Sequence, residues 1–300
     1  MTSSPLGSSR QIRPLAAALF MLAACACFAF NSVFVRLAAE QGMHPFVVAF
    51  FRNLFSFMIL LPLTVGKSGW GVMIPQNPGL LTVRGSLNGA SMLAWFYAVP
   101  LLPLADLTAL GFTAPLWATV LAVLLLGEVV RWRRWAATLI GFAGVVVIIQ
   151  PGFTDVHWAT SLVLFSSAMW ALTIIVIRKL TFIERPETIL LYQALMMAVI
   201  AGVPSIFVWT TPTGDIWIWL IALGILAAAA HACHVRAYSM QEVAALQPLD
   251  FARLPIIAAA AWAIFGEVPS TAVWIGALIV FAAGTYISHR ETKLAKQGQS

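Results

Sequence analysis

Blocks of apolar residues follow one another along the whole chain, separated by short polar stretches. A helix needs about 20 such residues to cross the hydrocarbon of a bilayer. The blocks predict ten helices of this kind, near residues 14–36, 46–65, 79–101, 104–126, 134–150, 158–178, 186–208, 216–236, 243–264 and 271–288. Their connections are short and carry helix breakers such as Pro151 with Gly152 and Pro212 with Gly214, so no soluble domain is inserted. Residues 1–12 and 291–300 are polar tails.

The first block has a second reading. Arg10 and Arg13 precede "LAAALFMLAAC" as in a secretory leader, and Leu22 to Cys25 fits a lipoprotein cleavage box. The apolar run continues past Cys25 to Val35, which suits a retained span better than a leader core.

Composition turns the pattern into a class. Of 300 residues 61% are hydrophobic and 9% charged, with a mean hydropathy of +0.92, which excludes a soluble surface. The chain is expected to be an all-α integral membrane protein whose surroundings are the lipid bilayer. The net charge of +6 does not indicate a nucleic-acid partner, because the basic residues form short clusters between apolar blocks and no continuous stripe. With the amino terminus inside, Arg10, Arg13, Lys67, Arg84, Arg131, Arg133, Arg134, Arg178, Lys179, Arg185, Arg236, Arg290, Lys293 and Lys296 fall on the cytoplasmic side. Only Arg36 falls outside, while Arg52 and Arg253 lie within spans. This asymmetry follows the positive-inside rule and predicts two cytoplasmic termini. Cys25, Cys27 and Cys233 all fall in apolar segments without framework spacing and read as small buried side chains.

One pattern occurs twice. "LLLGEVVRWRRW" begins at Leu124 and "AIFGEVPSTAVW" at Ala263, an offset of 139. At that offset Ala105 meets Ala244, Leu107 meets Leu246, Leu110 meets Leu249, Glu128 meets Glu267, Trp135 meets Trp274 and Phe142 meets Phe281. Earlier in each half the offset is 142, aligning Arg36 with Arg178 and Pro62 with Pro204. Five spans per half is an odd number, so the halves, residues 14–150 and 158–289, insert with opposite orientation. Glu128 then ends span four on the cytoplasmic side and Glu267 ends span nine outside. Inverted repeats suit a transporter, since two equivalent bundles can rock about a midplane site; the bland reading is duplication as a folding convenience.

With "PLADLTALGFTAPLWATVLAVLLLGE" and "GFAGVVVIIQPG" in the first half, and "EVAALQPLDFARLPIIAAAAWAIFGE" and "GALIVFAAGTYISHRE" in the second, the chain resembles the EamA-type transporters of the drug/metabolite transporter superfamily. The resemblance covers about residues 14–289. It implies secondary active export or uptake of small metabolites across a bacterial inner membrane, often coupled to protons or to an exchanged solute, and leaves the substrate open. "QPLDFARLP" departs from the apolar surroundings usual for that proline and is similar to a subgroup that handles amino-acid-derived metabolites such as S-adenosylmethionine or metallophores.

The residues give their own candidates. A charge near the middle of a span costs on the order of 2.5–3.5 kcal/mol unless it faces protein, water or a partner. Asp250 and Arg253 lie three residues apart on one helical face, with Arg253 roughly 15 Å into span nine and Pro255 behind it freeing a carbonyl. Arg253 is expected to receive a substrate carboxylate or phosphate by a forked contact, with Asp250 pairing with it or with a substrate ammonium. The alternative is an internal salt bridge that neutralises itself. Arg52, with Asn53, enters span two about two turns below the surface and can contact substrate or snorkel to the interface.

His231 and His234 flank Cys233 in span eight. Their spacing offers two metal ligands at most, so no metal site is expected. They are proton-coupling candidates, or histidines satisfied by a neighbouring helix. Asn31, Asn88, Thr108, Thr113, Gln193 and Gln247 can bridge helices for about 0.6 and up to roughly 2 kcal/mol, and Asn31 is also a substrate-contact candidate. Trp95, Tyr97, Trp117, Trp170 and Tyr238 can wall a cavity, whereas Trp132, Trp135, Trp217 and Trp219 fit an interfacial belt. Glu128 and Glu267 read as structural, and Ala137, Gly141, Gly144, Gly276, Ala283 and Gly284 suit close helix packing within or between subunits.

No nucleophile arrangement, phosphate-cradling loop or cofactor motif is present, which disfavours a membrane-embedded enzyme. Large soluble loops expected of a receptor are absent too. The sequence thus predicts an alternating-access carrier of a small polar or amphipathic metabolite, preferably an amino-acid-derived zwitterion, with a lipid-linked or planar vitamin-like substrate as the alternative. Direction, coupling ion and oligomeric state stay open.

Overall fold

Several helix starts are written in the loops before them. In the computed structural model of the chain, which describes residues 14–126, 132–150, 157–180, 183–240, 246 and 249–297, proline occupies the first helical position after His44, Asn77 and Arg185. That position needs no amide partner, so the missing N–H is harmless. Asn77 Oδ1 accepts the Leu80 N–H at 3.0 Å, and His44 Nδ1 accepts the Phe46 N–H at 3.3 Å. Desolvation lowers the His44 pKa from its ordinary value, which keeps that nitrogen an acceptor.

The helices are α1 (Pro14–Glu40), α2 (Pro45–Ser68), α3 (Pro78–Ala98), α4 (Leu104–Gly111), α5 (Ala114–Leu126), α6 (Trp132–Ile149), α7 (Ala159–Leu180), α8 (Pro186–Phe207), α9 (Ile216–Met240), α10 (Arg253–Phe265) and α11 (Thr271–Gln297), with a 3-10 turn at Trp70–Met73. No strand occurs among the described residues. Taking α4 and α5 as one span, each of the ten predicted spans has its helix. Six are long and apolar enough to cross a membrane, and three shorter apolar helices accompany them. The remaining one, α3, buries Arg84, Gly85, Asn88, Gly89 and Ser91 against α7 and α8. Its inner face meets protein rather than lipid, so it need not be as apolar.

Two spans depart from the predicted continuous helices. Span four breaks between α4 and α5, where the amides of Phe112 and Thr113 reach back only three residues, to Ala109 O at 3.2 Å and Leu110 O at 3.1 Å. Span nine, predicted over 243–264, is interrupted: Leu246, Leu249 and Asp250 are helical, Phe251 and Ala252 form a turn, and a helix runs on from Arg253, with the Ala252 N–H donating to Leu249 O and the Leu254 N–H to Phe251 O, each 3.0 Å. Pro115 and Pro255 account for both. In a continuous helix each would clash with the carbonyl four residues earlier, whereas here each falls in the first turn after a break. At the other extreme α11 outruns its predicted end because "RETKLAKQ" is built largely of strong helix formers.

α1 lies along α9, α2 along α8, α3 along α7 and α6 along α11, while α4 packs on α10. The small residues of α6 and α11 meet inside one chain: a Cβ on Gly144 would lie 2.9 Å from Gly276 O, and one on Gly141 3.1 Å from Ala283 Cβ. That answers whether this stripe packs within or between subunits. Loops at one end are joined by His44 N donating to Thr210 Oγ1 at 3.5 Å, and at the other by Asn77 N donating to Glu184 Oε1 at 2.6 Å. Arg10, Arg13, Glu128, Arg131, Pro151, Gly152 and Gln247 lie outside the described residues, as do the side chains of Lys67, Arg134, Arg178, Lys179, Tyr238, Arg290, Lys293 and Lys296.

Candidate functional site

The two helix breaks meet each other. Phe112, at the α4–α5 break, and Phe251, just before α10, have ring centroids 5.4 Å apart, and Phe251 in turn lies 4.5 Å from the Phe281 ring of α11. The Arg253 guanidinium covers the Phe112 ring at 5.3 Å. Gly111 completes the junction. A Cβ there would stand 2.8 Å from Trp95 Cη2 and 3.8 Å from Arg253 Nη2, so the glycine lets the Trp95 ring seat against the broken backbone.

Asp250 and Arg253 share this junction without joining each other. The ion pairs among the described residues are both made by Arg36. Asp250 instead receives the Cys25 thiol of α1, with Sγ 3.7 Å from Oδ1. Arg253 Nε is buried and has no hydrogen-bond partner among the described residues. Two opposite charges therefore stand at this junction with no ion pair between them.

A second polar cluster lies between α2, α3, α8 and α9. Arg52 is 5% exposed, which rules out snorkelling; its Nη1 donates to Asn53 Oδ1 at 3.3 Å and its guanidinium covers the Phe96 ring at 5.3 Å. Arg84, assigned on sequence to the cytoplasmic set, is 3% exposed. Its Nη2 donates to Gln193 Oε1 at 2.6 Å and its Nη1 to Ile189 O at 3.4 Å. Gln193 Nε2 lies 3.5 Å from His231 Nε2. Both His231 and His234 rest on the Phe28 ring, at 5.5 and 5.8 Å. Sequence reasoning did not single out Arg84 as a member of this cluster. The available signal was its position six residues inside a span, on the same face as Asn88.

The other sequence candidates scatter. Asn31 Nδ2 donates to Leu223 O at 3.4 Å, bridging α1 and α9. Tyr97 belongs to a ring cluster with His44, Phe46 and Trp158 at one end of the bundle. Trp170 is half-buried on α7 and takes no part in the ring contacts of the junction.

At the end where Tyr97 lies, α1 is tied to two other elements. Arg36 pairs with Glu267, donates to Leu102 O at 3.3 Å and covers the Phe265 ring at 5.0 Å. The second carboxylate oxygen of Glu267 accepts the Leu104 N–H at 3.0 Å, at the start of α4. This clamp accounts for Glu267 structurally. Arg36→Gln and Glu267→Gln are each expected to lower thermal stability, with a coupling of roughly 1–2 kcal/mol in a double-mutant cycle. Strict additivity of the two losses would dissociate the pair energetically.

Comparison with known proteins is consistent across the chain. The model of the EamA-like transporter family matches residues 15–150. A "Riboflavin transporter" from Vibrio cholerae serotype O1 is 31% identical over 296 residues, covering 95% of this chain and 96% of that protein. An "S-adenosylmethionine uptake transporter" from Rickettsia felis is 32% identical over 251 residues, covering 84% and 85%. A solved structure, titled only "Crystal structure of protein", superimposes with a TM-score of 0.62 at 17% identity, over 96% of this chain and all of that one, which shows the shared fold. Full-length similarity to named transporters, a multi-pass helical bundle and no enzyme among these relatives lead to one assignment: the chain belongs to the EamA-like transporter family, within the drug/metabolite transporter superfamily.

Proposed function

We propose that the protein is a secondary active carrier working by alternating access, built as inverted five-helix repeats over residues 14–150 and 158–289, and set in a bacterial inner membrane with both tails cytoplasmic. The pairing of helices supports the repeat. Numbering the spans one to five in each half, the first packs on the other half's third both ways, as α1 on α9 and α3 on α7; second meets second, fourth meets fourth and fifth meets fifth. Phe112 and Phe251, which touch, are 139 positions apart, the offset of the sequence repeat. Breaks facing each other near the middle of a bundle are where transporters bind their solutes.

The preferred substrate is an amino-acid-derived zwitterion carrying a planar ring. The observation behind it is that Asp250 and Arg253 sit together at the junction yet unpaired, one suited to an ammonium and the other to a carboxylate. Trp95, Phe112 and Phe251 offer ring faces beside them. The ring faces alone also favour a planar vitamin-like solute, the reading that the Vibrio relative's name suggests. His231 and His234 are the proton-coupling groups of this reading.

Uptake of radiolabelled S-adenosylmethionine and of riboflavin by cells with and without the protein tests it, with and without an uncoupler. Saturable, uncoupler-sensitive uptake of the first at least tenfold above the control is the expected result. Riboflavin uptake alone would replace the zwitterion with the planar vitamin-like class, and no uptake of either solute would remove both.

A further inference from the structure

The clamp made by Arg36 gathers the ends of three helices on one side of the junction. Arg36 of α1 pairs with Glu267, which follows α10; it also donates to Leu102 O at 3.3 Å and covers the ring of Phe265, the last residue of α10. Glu267 in turn accepts the N–H of Leu104, the first residue of α4. α4 and α10 are the helices whose inner ends meet at the Phe112–Phe251 contact. The clamp therefore ties together the far ends of both broken helices and joins them to α1. Cys25 of α1 marks the junction itself, with Sγ 3.5 Å from Leu249 O and 3.7 Å from Asp250 Oδ1. At helical rise, Arg36 lies about 16 Å along α1 from Cys25, and Leu104 about 12 Å along α4 from Phe112.

Three features make this a joint that can open. A permanent contact in lipid is made by close backbone packing, as where α6 and α11 meet at Gly144 and Gly276. Arg36 and Glu267 instead meet through side chains that are 18% and 19% exposed, at a helix end where water can hydrate each charge on separation instead of stranding it. Arg36 also has a second carboxylate on its own helix: its Nε lies 3.5 Å from Oε1 of Glu40, one turn further along. Losing Glu267 leaves the guanidinium paired. Glu267, for its part, lines a cavity of about 200 Å³ with Pro103, Asp106 and Ser270, which gives the freed carboxylate room to turn.

We propose that Arg36, Glu267 and the Leu104 amide form the outer gate of the carrier, shut in this conformation, and that Arg36 passes from Glu267 to Glu40 when the junction opens outward. This rests on the alternating-access reading and names the contacts that the outward transition breaks. A contact made only while this end is shut lowers the population of outward-open chains, so removing it shifts that population upward. Glu40 acts in the opposite sense, because it stabilises the released arginine.

The test reads the native thiol at the junction. Cys25 is 1% exposed, so a membrane-impermeant, charged methanethiosulfonate reaches it only when the junction opens to the face carrying the reagent. The full chain with Cys27→Ser and Cys233→Ser keeps Cys25 as its single thiol, and its labelling is timed in right-side-out and inside-out vesicles. Arg36→Gln and Glu267→Gln should each raise the outside rate about fivefold and lower the inside rate about twofold, as a tenfold shift of a 9:1 equilibrium does. Glu40→Gln should lower the outside rate about twofold. Arg36→Lys, which keeps the charge but loses the fork, should raise the outside rate less than Arg36→Gln, and it decides if the glutamine variants do not fold. The same pattern with the two faces exchanged would keep the gate and overturn the orientation. Rates that rise from both faces, as in a loosened bundle, or that do not change, overturn the gate. Sided labelling without uptake of either radiolabelled solute would sink the proposed substrate alone, and uptake with labelling unmoved would sink the gate alone.

Discussion

Arg253→Ala is expected to lower solute uptake by on the order of 30-fold or more at equal protein level, with a melting temperature close to that of the unchanged chain. Losing one charge-assisted contact to a bound solute costs about 2–3 kcal/mol, and each 1.4 kcal/mol is tenfold. Stability should change little, because the guanidinium has no ion-pair partner among the described residues to leave stranded and makes a ring contact with Phe112. Asp250→Asn should spare the fold likewise and weaken an ammonium-bearing solute more than a neutral one. The competing idea, a salt bridge that only neutralises itself, makes a different forecast: each single change would destabilise and the double change Asp250→Asn with Arg253→Ala would recover. Transport by Arg253→Ala at normal rates, measured as initial uptake per milligram of protein, would remove Arg253 from the path.

How much of this was legible in the sequence follows from what each feature depends on. The spans were legible because a bilayer demands long apolar blocks wherever a helix meets lipid. The breaks at Phe112 and before Arg253 were not. A proline in the first turn after a break and a proline inside a continuous span look the same in one dimension, and only the packing of Phe112 on Phe251 distinguishes them. Arg52 left two readings open, since snorkelling depends on which way the side chain leaves its helix, and Phe96 with Met92 holds it inward. The burial of Arg84 was hidden for a related reason. A basic residue near a span's cytoplasmic edge counts as a topology signal until the neighbouring helix is known, and here α8 offers it Gln193 and Ile189 instead of water. Tyr97 and Trp95, two residues apart, looked alike as cavity aromatics, yet successive positions on a helix point to different neighbours. One seats against Gly111 and the other joins the ring cluster at the end of the bundle.

Gly276→Ala is the substitution expected to damage the fold most per atom added. A Cβ at position 276 would stand 2.5 Å from Ile148 Cγ1, 2.6 Å from Gly144 O and 3.1 Å from Ile148 N. Two of these three are backbone atoms, which cannot turn aside as a side-chain end can, so α11 must move off α6 to make room. Overpacking of this kind costs about 1–3 kcal/mol, occasionally more. For a chain of this size that corresponds to a melting temperature lower by roughly 5 °C or more. Gly284→Ala is the informative control: its Cβ would meet only Pro115, at 3.3 Å from Cγ, and a small shift of the ring accommodates it. Close approach of two helices is also what holds α6 and α11 together in lipid, where no water is released by their contact and packing must supply the attraction. The effect of Gly276→Ala should therefore persist in nanodiscs as well as in detergent. Equal melting temperatures for Gly276→Ala and Gly284→Ala would mean that the α6–α11 contact is looser than these distances require.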